Sequence, residues 1–431
     1  MDVLAVAVAI INLILACWRL YRSLQGLRLI AMSWLLLAYH GLFLIPLTIS
    51  GKFSTYRNFV GDVLVVSPET IRYLALFVLA FNAVFAVAEV LTWRVSSGKG
   101  LRPAAWELRG DPTWLKGAKG ILLGCLLGGA ILYWFKMEGG GYRSYVEFRG
   151  SNWPQVFFWA SSPLLVILAL QRRYIPALLG CLPFLFFATY LKIRSLVLLS
   201  LIPVMVVFYY QFVSQSMLRK KQILKPILVG CALFFFLVGV SIAVTYKKAA
   251  DVSGIANTPG QITGLPDAGM IYGSSLVFQA TLESGQHLGF NGLERYLLNI
   301  VNPFVRLFQI QPRALEDPAV YMAWIIDGVP KNSLVFYHYP TLWYADAFLA
   351  FGLGGLLLAV LWGVIFSAWE AFMTRNSLII AVLLPFYIWH CYFLIRGTIT
   401  GATAPIAYAT YISVAIMLLV TPARYLRKDR L

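Results

Sequence analysis

Two arginines sit where a membrane chain changes direction, and their chemistry sets the first expectation. Arg194 lies in Lys192-Ile193-Arg194-Ser195, and Arg396 in Leu394-Ile395-Arg396-Gly397, each at the edge of an apolar run. A charge at the rim of the hydrocarbon is costly unless it is paired, hydrated or used. The planar guanidinium fork suits two-point binding of a phosphate group. Anchoring of a helix end would place an arginine there as well. Arg295 and Arg306 are eleven residues apart; on one helix they would share a face to within ~20° and stand ~16 Å apart. Pro303 interrupts that helix, and ~16 Å is too far for both to grip one diphosphate, so at most one contacts it and the other would line the cavity or the interface. His338 and Asp346 are the candidates for acid–base work. The imidazole follows a long polar segment, and the carboxyl lies about one turn inside the next apolar run. Tyr337 and Tyr339 flank His338 and could stack on sugar rings, as they could equally belong to an interfacial aromatic belt. Glu283 and Glu294 are further candidate bases.

These residues must be held by elements that live in lipid. Of 431 residues, 60% are hydrophobic and 12% charged, more apolar surface than a soluble chain of this size can hide. The class expected is all-α, a polytopic integral membrane protein. Roughly eleven segments approach the length needed for a ~30 Å hydrocarbon core: 2–18, 29–49, 71–93, 117–136, 154–170, 174–191, 195–213, 226–245, 341–366, 377–395 and 401–421. Met1 to Trp18 has neither a basic start nor a small-residue cleavage site and is read as a span. The expected division is 1–245 for spans one to eight, 246–340 for a long external loop with short amphipathic helices, and 341–431 for the last three spans and a tail.

Charge fixes the orientation expected. Arg19, Arg22 and Arg28 follow the first span, Arg94 to Lys119 the third, Arg172 and Arg173 the fifth, and Arg219 to Lys225 the seventh. Arg424 to Arg430 follow the last. These alternate breaks are expected on the cytoplasmic side by the positive-inside rule, with the N-terminus and the 246–340 loop outside. The remaining basic residues, Arg143, Arg149 and Lys331 among them, give the outer side a positive excess suited to an anionic substrate. The net charge of +17 is therefore assigned to the membrane rather than to nucleic acid. All five cysteines fall in apolar runs, so neither a disulfide framework nor a Cys/His metal site is expected. The chain has no Walker A loop, HExxH, GxSxG or Asp-x-Asp pair, and no cytoplasmic segment long enough for a nucleotide-binding domain.

In its long external loop before the last spans, its Lys192-Ile193-Arg194-Ser195-Leu196 junction, Tyr339-Pro340 with Asp346 and Phe351-Gly352 to Gly355, and Arg396-Gly397, the chain resembles the bacterial O-antigen polymerase (Wzy-type) family of integral membrane glycosyltransferases. The resemblance implies a GT-C-like architecture in the bacterial inner membrane, with the N-terminus periplasmic and the C-terminus cytoplasmic. It implies polymerisation of undecaprenyl-diphosphate-linked oligosaccharide repeats at the periplasmic face, without a cofactor or metal, and a chain-length regulator as partner. Arg194, Arg396 and Arg306 would then stabilise the diphosphate leaving group, and His338 or Asp346 would take the acceptor proton. O-antigen ligases share the architecture, so transfer of the glycan to lipid A-core is the alternative. A flippase for the same lipid-linked sugar is the alternative from another class, and would call for broken helices and charges in mid-membrane.

Overall fold

The computed structural model describes residues 2–26, 28–50, 55–57, 63–97, 106–108, 110–137, 153–191, 195–216, 268–287, 289, 342–395 and 399–421. They form helices α1 (Val3–Gln25), α2 (Ala31–Ser50), α3 (Pro68–Ser97), α4 (Thr113–Lys136), α5 (Trp153–Ala160), α6 (Ser162–Leu170), α7 (Tyr174–Tyr190), α8 (Ser195–Leu199) and α9 (Leu201–Ser216). After these come α10 (Ala268–Ser284), α11 (Trp343–Phe351), a 3-10 turn at Gly352–Gly355, α12 (Leu356–Met373), α13 (Ser377–Ile395) and α14 (Ile399–Val420). One antiparallel hairpin, β1 (Thr55–Arg57) with β2 (Val63–Val65), joins α2 to α3.

Among the described residues, seven helical stretches are long and apolar enough to cross a membrane: Val3–Gln25, Ala31–Ile49, Pro68–Ser96, Thr113–Lys136, Trp153–Leu170, Trp343–Met373 and Ser377–Ile395. Tyr174–Tyr190, Leu201–Phe212 and Ile406–Val420 are shorter apolar helices. The chain is thus a helical, polytopic membrane protein. Each expected segment apart from 226–245 falls on one or more of these helices; 226–245 and most of 246–340 lie outside the described residues.

The helices divide into two compact units, the first built from Met1–Gly98, Asp251–Glu370 and Cys391–Thr400, the second from Lys99–Ala250, Ala371–His390 and Gly401–Leu431. In the first, α1 and α3 run parallel, joined by three polar contacts at one sequence offset. The Asp2 carboxylate accepts from Arg72 at 2.5 Å, Asn82 donates to Asn12 at 2.8 Å, and Arg19 donates to Glu89 at 2.5 Å. Asp2 also caps α1, its other oxygen accepting from the backbone of Leu4 and Ala5. The hydrogen bond from Arg72, with help from the helix-end amides, holds the Asp2 carboxyl below its ordinary value of 3.8. A lowered carboxyl contributes stability above that ordinary value and loses it as pH falls through the folded one. Asp2→Asn should therefore lower the melting midpoint in detergent at neutral pH, and the gap from wild type should close on acidification below pH 3.8; a gap constant with pH would refute the clasp.

The inner face of α3 carries Phe77, Phe81, Phe85 and Glu89 at four-residue spacing, a repeat that keeps side chains near one face. The rings meet Phe278 and Phe348 at Phe77 (5.4 and 5.2 Å), Trp343 at Phe81 (5.1 Å) and Trp34 at Phe85 (5.3 Å). Gly363 lets α12 approach the same helix: a Cβ there would lie 2.7 Å from Ala88 Cβ and 2.9 Å from the Phe85 carbonyl oxygen. In lipid such close backbone approach replaces the hydrophobic drive as the source of helix packing.

The second unit is held by aromatic packing. Phe158 stacks on Phe184 at 4.2 Å, Tyr133 lies 4.9 Å from Phe187, and Trp159 lies 5.0 Å from Trp389. A Cβ on Gly129 would fall 2.6 Å from the Phe158 backbone nitrogen, so α4 and α5 cross at a glycine. Trp106 stacks on Tyr210 at 4.4 Å, and the Gln211 amide donates to the Trp106 carbonyl at 2.6 Å, tying the segment before α4 to α9.

Candidate functional site

The expected ninth span, 341–366, is two helices and a sharp turn. Trp343 and Phe366 both meet Phe85, at 5.0 and 6.3 Å; on an unbroken helix, residues so far apart in sequence would stand ~34 Å from one another. The chain must turn back between them. The turn is Gly352, at φ 57°, a conformation that side chains other than glycine's rarely adopt. A Cβ on Gly355 would collide with the Ala347 carbonyl oxygen, so the 3-10 turn folds back onto α11. α11 is therefore a short helix from which the chain folds back, the shape of a re-entrant segment, and α12, 18 residues long, is itself long enough to cross. Irregular backbone at membrane depth persists only when buried in protein or lining a cavity, and every residue of α11 from Trp343 to Ala350 is buried.

α10 supplies much of that cover. Its Ser274 hydroxyl donates to the Met270 carbonyl at 2.7 Å and accepts from the Leu342 amide at 3.0 Å, satisfying a backbone donor at the start of α11. Phe278 stacks on Phe348 at 4.0 Å with the rings 10° from parallel, and the Gly289 amide donates to the Ala350 carbonyl at 2.7 Å. Residues 270–287 were expected as a mildly amphipathic helix on or in the outer face; in α10, Met270, Ile271, Ser274, Ser275, Leu276, Val277, Phe278 and Thr281 are all buried, and the helix carries no charge before Glu283 to hold in water.

Asp346 sits in the first turn of α11 and is 2% exposed. An acid there is favoured by the partial positive charge of the helix start, and an ionisable group at such depth is a functional candidate in its own right. His338, Tyr337, Tyr339, Arg295, Arg306, Arg194 and Arg396 lie outside the described residues. In the chain, Arg194 immediately precedes α8 and Arg396 immediately follows α13. Among the described residues no group of three or more His, Cys, Asp or Glu is arranged to hold a metal.

A second constellation escaped the sequence reading. Glu89, wholly buried in α3, accepts from Arg19 Nη2 at 2.5 Å, from Trp34 Nε1 at 3.2 Å and from Arg28 Nη1. Arg28 Nη2 reaches Glu370 of α12 at 3.1 Å, and Glu370 accepts from the Leu29 amide at 2.6 Å. The Arg28 guanidinium lies 4.1 Å from the Trp93 ring centre, a cation–π contact. Arg19 and Arg28 were expected as basic residues flanking the first span; both are buried, Arg19 because α1 continues to Gln25 and Arg28 just beyond the end of that helix. The signal was available in the two acids. Glu89 and Glu370 interrupt long apolar runs, and an acid in a span needs a partner.

Searched against protein-family models, curated proteins and solved structures, the chain finds no match.

Proposed function

With no relative to lean on, the function rests on the site, and we propose that the protein is an integral membrane glycosyltransferase. In this reading it polymerises undecaprenyl-diphosphate-linked oligosaccharide repeats of an O-antigen or related surface polysaccharide at the periplasmic face of the bacterial inner membrane. The observation that carries the reading is the buried Asp346 on a re-entrant helix that follows directly on a long, basic, aromatic-rich segment. The reading includes eleven spans, a periplasmic N-terminus, a cytoplasmic C-terminus and a chain-length regulator as partner.

The chemistry assigns the residues. An acceptor sugar hydroxyl attacks the anomeric carbon of the donor chain, and the lipid diphosphate leaves. Arg194 and Arg396, then Arg306, would neutralise the charge growing on that leaving group, as fixed donors do in an oxyanion hole. Arg295 would line the cavity and Tyr337 and Tyr339 the sugar path, with His338 or Asp346 receiving the proton.

The test is a gel ladder of surface polysaccharide from cells lacking the gene. Deletion should leave lipid A-core capped with a single repeat, and Arg194→Ala or Arg396→Ala should fail to restore the ladder, with about 10²–10³-fold less polymer for loss of one such donor. Polymer retained by both variants would sink the leaving-group role. Uncapped core, with polymer accumulating on the lipid carrier, would mark a ligase instead.

The break at Gly352 and the buried charges of the first unit also favour a flippase for lipid-linked oligosaccharide, since transporters build sites from discontinuous helices. Transport of a fluorescent lipid-linked repeat across vesicles, without any change in its length, would decide for that reading.

A further inference from the structure

The turn of the hairpin has an ionisable neighbour that none of these assignments uses. His287 follows α10 and lays its imidazole against the Gly352 backbone: a Cβ at position 352 would lie 3.1 Å from the ring's Cε1 and 3.2 Å from Nε2. The absence of a side chain at 352 serves two ends, the φ of 57° that reverses the chain and the space that the ring fills. Phe348 lies edge-on to the imidazole, with centroids 6.1 Å apart and planes at 83°. The bond from the Gly289 amide to the Ala350 carbonyl ties the segment bearing the ring to the end of α11. The imidazole is thus seated on the hairpin, while the residue remains exposed. On the two elements that pack around it, the described acids are Glu283, exposed near the end of α10, and Asp346, buried in α11.

Histidine is the side chain whose proton exchange falls in the physiological range. A general base must be oriented by its surroundings, yet open enough to reach both its substrate and water. His287 meets these conditions at the turn of the re-entrant helix. Resting on the glycosyl-transfer reading, we infer that His287 is the base of the reaction. The acceptor hydroxyl oxygen forms the new bond to the anomeric carbon, and the bond from that carbon to the diphosphate oxygen breaks with its electron pair leaving on the diphosphate. The hydroxyl proton passes to the imidazole, whose exposed side returns it to solvent. His338 is then a neighbour in sequence to the hairpin rather than the proton acceptor.

The experiment is polymerisation by the purified full-length protein in detergent, with an undecaprenyl-diphosphate-linked repeat as substrate, across pH. His287→Gln keeps a hydrogen-bonding side chain of similar reach but cannot take up the hydroxyl proton. Its rate should fall about 10²–10⁴-fold, the contribution of a positioned base, and the acid limb of the pH–rate profile should vanish while thermal stability holds. His338→Gln should keep that limb. A second variant, His287→Ala, should regain activity with added free imidazole, as a lost structural contact would not. Wild-type rates and an intact limb in His287→Gln, or loss of the limb in His338→Gln, would overturn the assignment and leave glycosyl transfer standing. A wild-type protein that elongates nothing would overturn glycosyl transfer itself, and the role of His287 with it.

Discussion

Glu89→Ala should cost the protein about 3–5 kcal/mol of stability, the penalty for leaving a buried ion pair half made. The carboxylate receives Arg19, Arg28 and the Trp34 indole, and its side chain is wholly out of solvent. Its removal strands the Arg19 guanidinium in a low-dielectric interior, while Arg28 keeps Glu370. The loss should read as an earlier melting midpoint in detergent and a reduced yield of monodisperse protein. Pairing Arg19→Met with Glu89→Leu should recover most of it, since replacing a buried pair with apolar groups of similar size is often neutral. A single-variant loss below about 1 kcal/mol, the range of exposed pairs, would mean that the four charges are not joined as described.

Asp346→Asn should have the opposite profile, with polymerisation down about 10²–10³-fold in a protein that still folds. The substitution preserves shape. It forfeits the interaction of an acid with the start of α11, worth about 0.3–1 kcal/mol, which is small beside the activity loss. With His287 as the base, the carboxylate acts here as a fixed negative charge facing the positive character that develops on the donor's anomeric carbon. The measurement is the polysaccharide ladder alongside thermal stability of the purified variant. A full-length ladder from Asp346→Asn would remove the hairpin from the catalytic site, and a collapse in stability would recast Asp346 as a packing residue.

Most of the helices could be read from hydropathy, because a segment in lipid must satisfy its backbone internally and runs long and apolar. The hairpin was not legible. Residues 341–366 read as one span because Phe351, Leu353 and Leu356 keep the hydropathy high across the break, and window averages do not register the φ of a single glycine. Phe351-Gly352-Leu353-Gly354-Gly355 did carry a signal, three glycines within four residues. Asp346 was legible as an acid near the start of a span. The partners of Arg19 and Arg28 were not legible, because the positive-inside rule assigns basic residues to a side of the bilayer and says nothing of what they pair with. Their acids lie 70 and 342 residues away in sequence, a pairing that no local pattern encodes. His287 was passed over for a similar reason: its seat is Gly352, brought to it by the fold.

The offset shared by Asp2–Arg72, Asn12–Asn82 and Arg19–Glu89 has a mechanical meaning. Three pins at one offset behave like a keyed shaft. Sliding α1 along α3 by a single residue would move it ~1.5 Å and turn it ~100°, unseating all three contacts together, and no intermediate slip restores even one. Shear between these helices would break all three contacts at once, so the pair is expected to move together. Under the proposed function, any motion that admits a polyprenyl substrate to the first unit would have to come from outside this pair of helices.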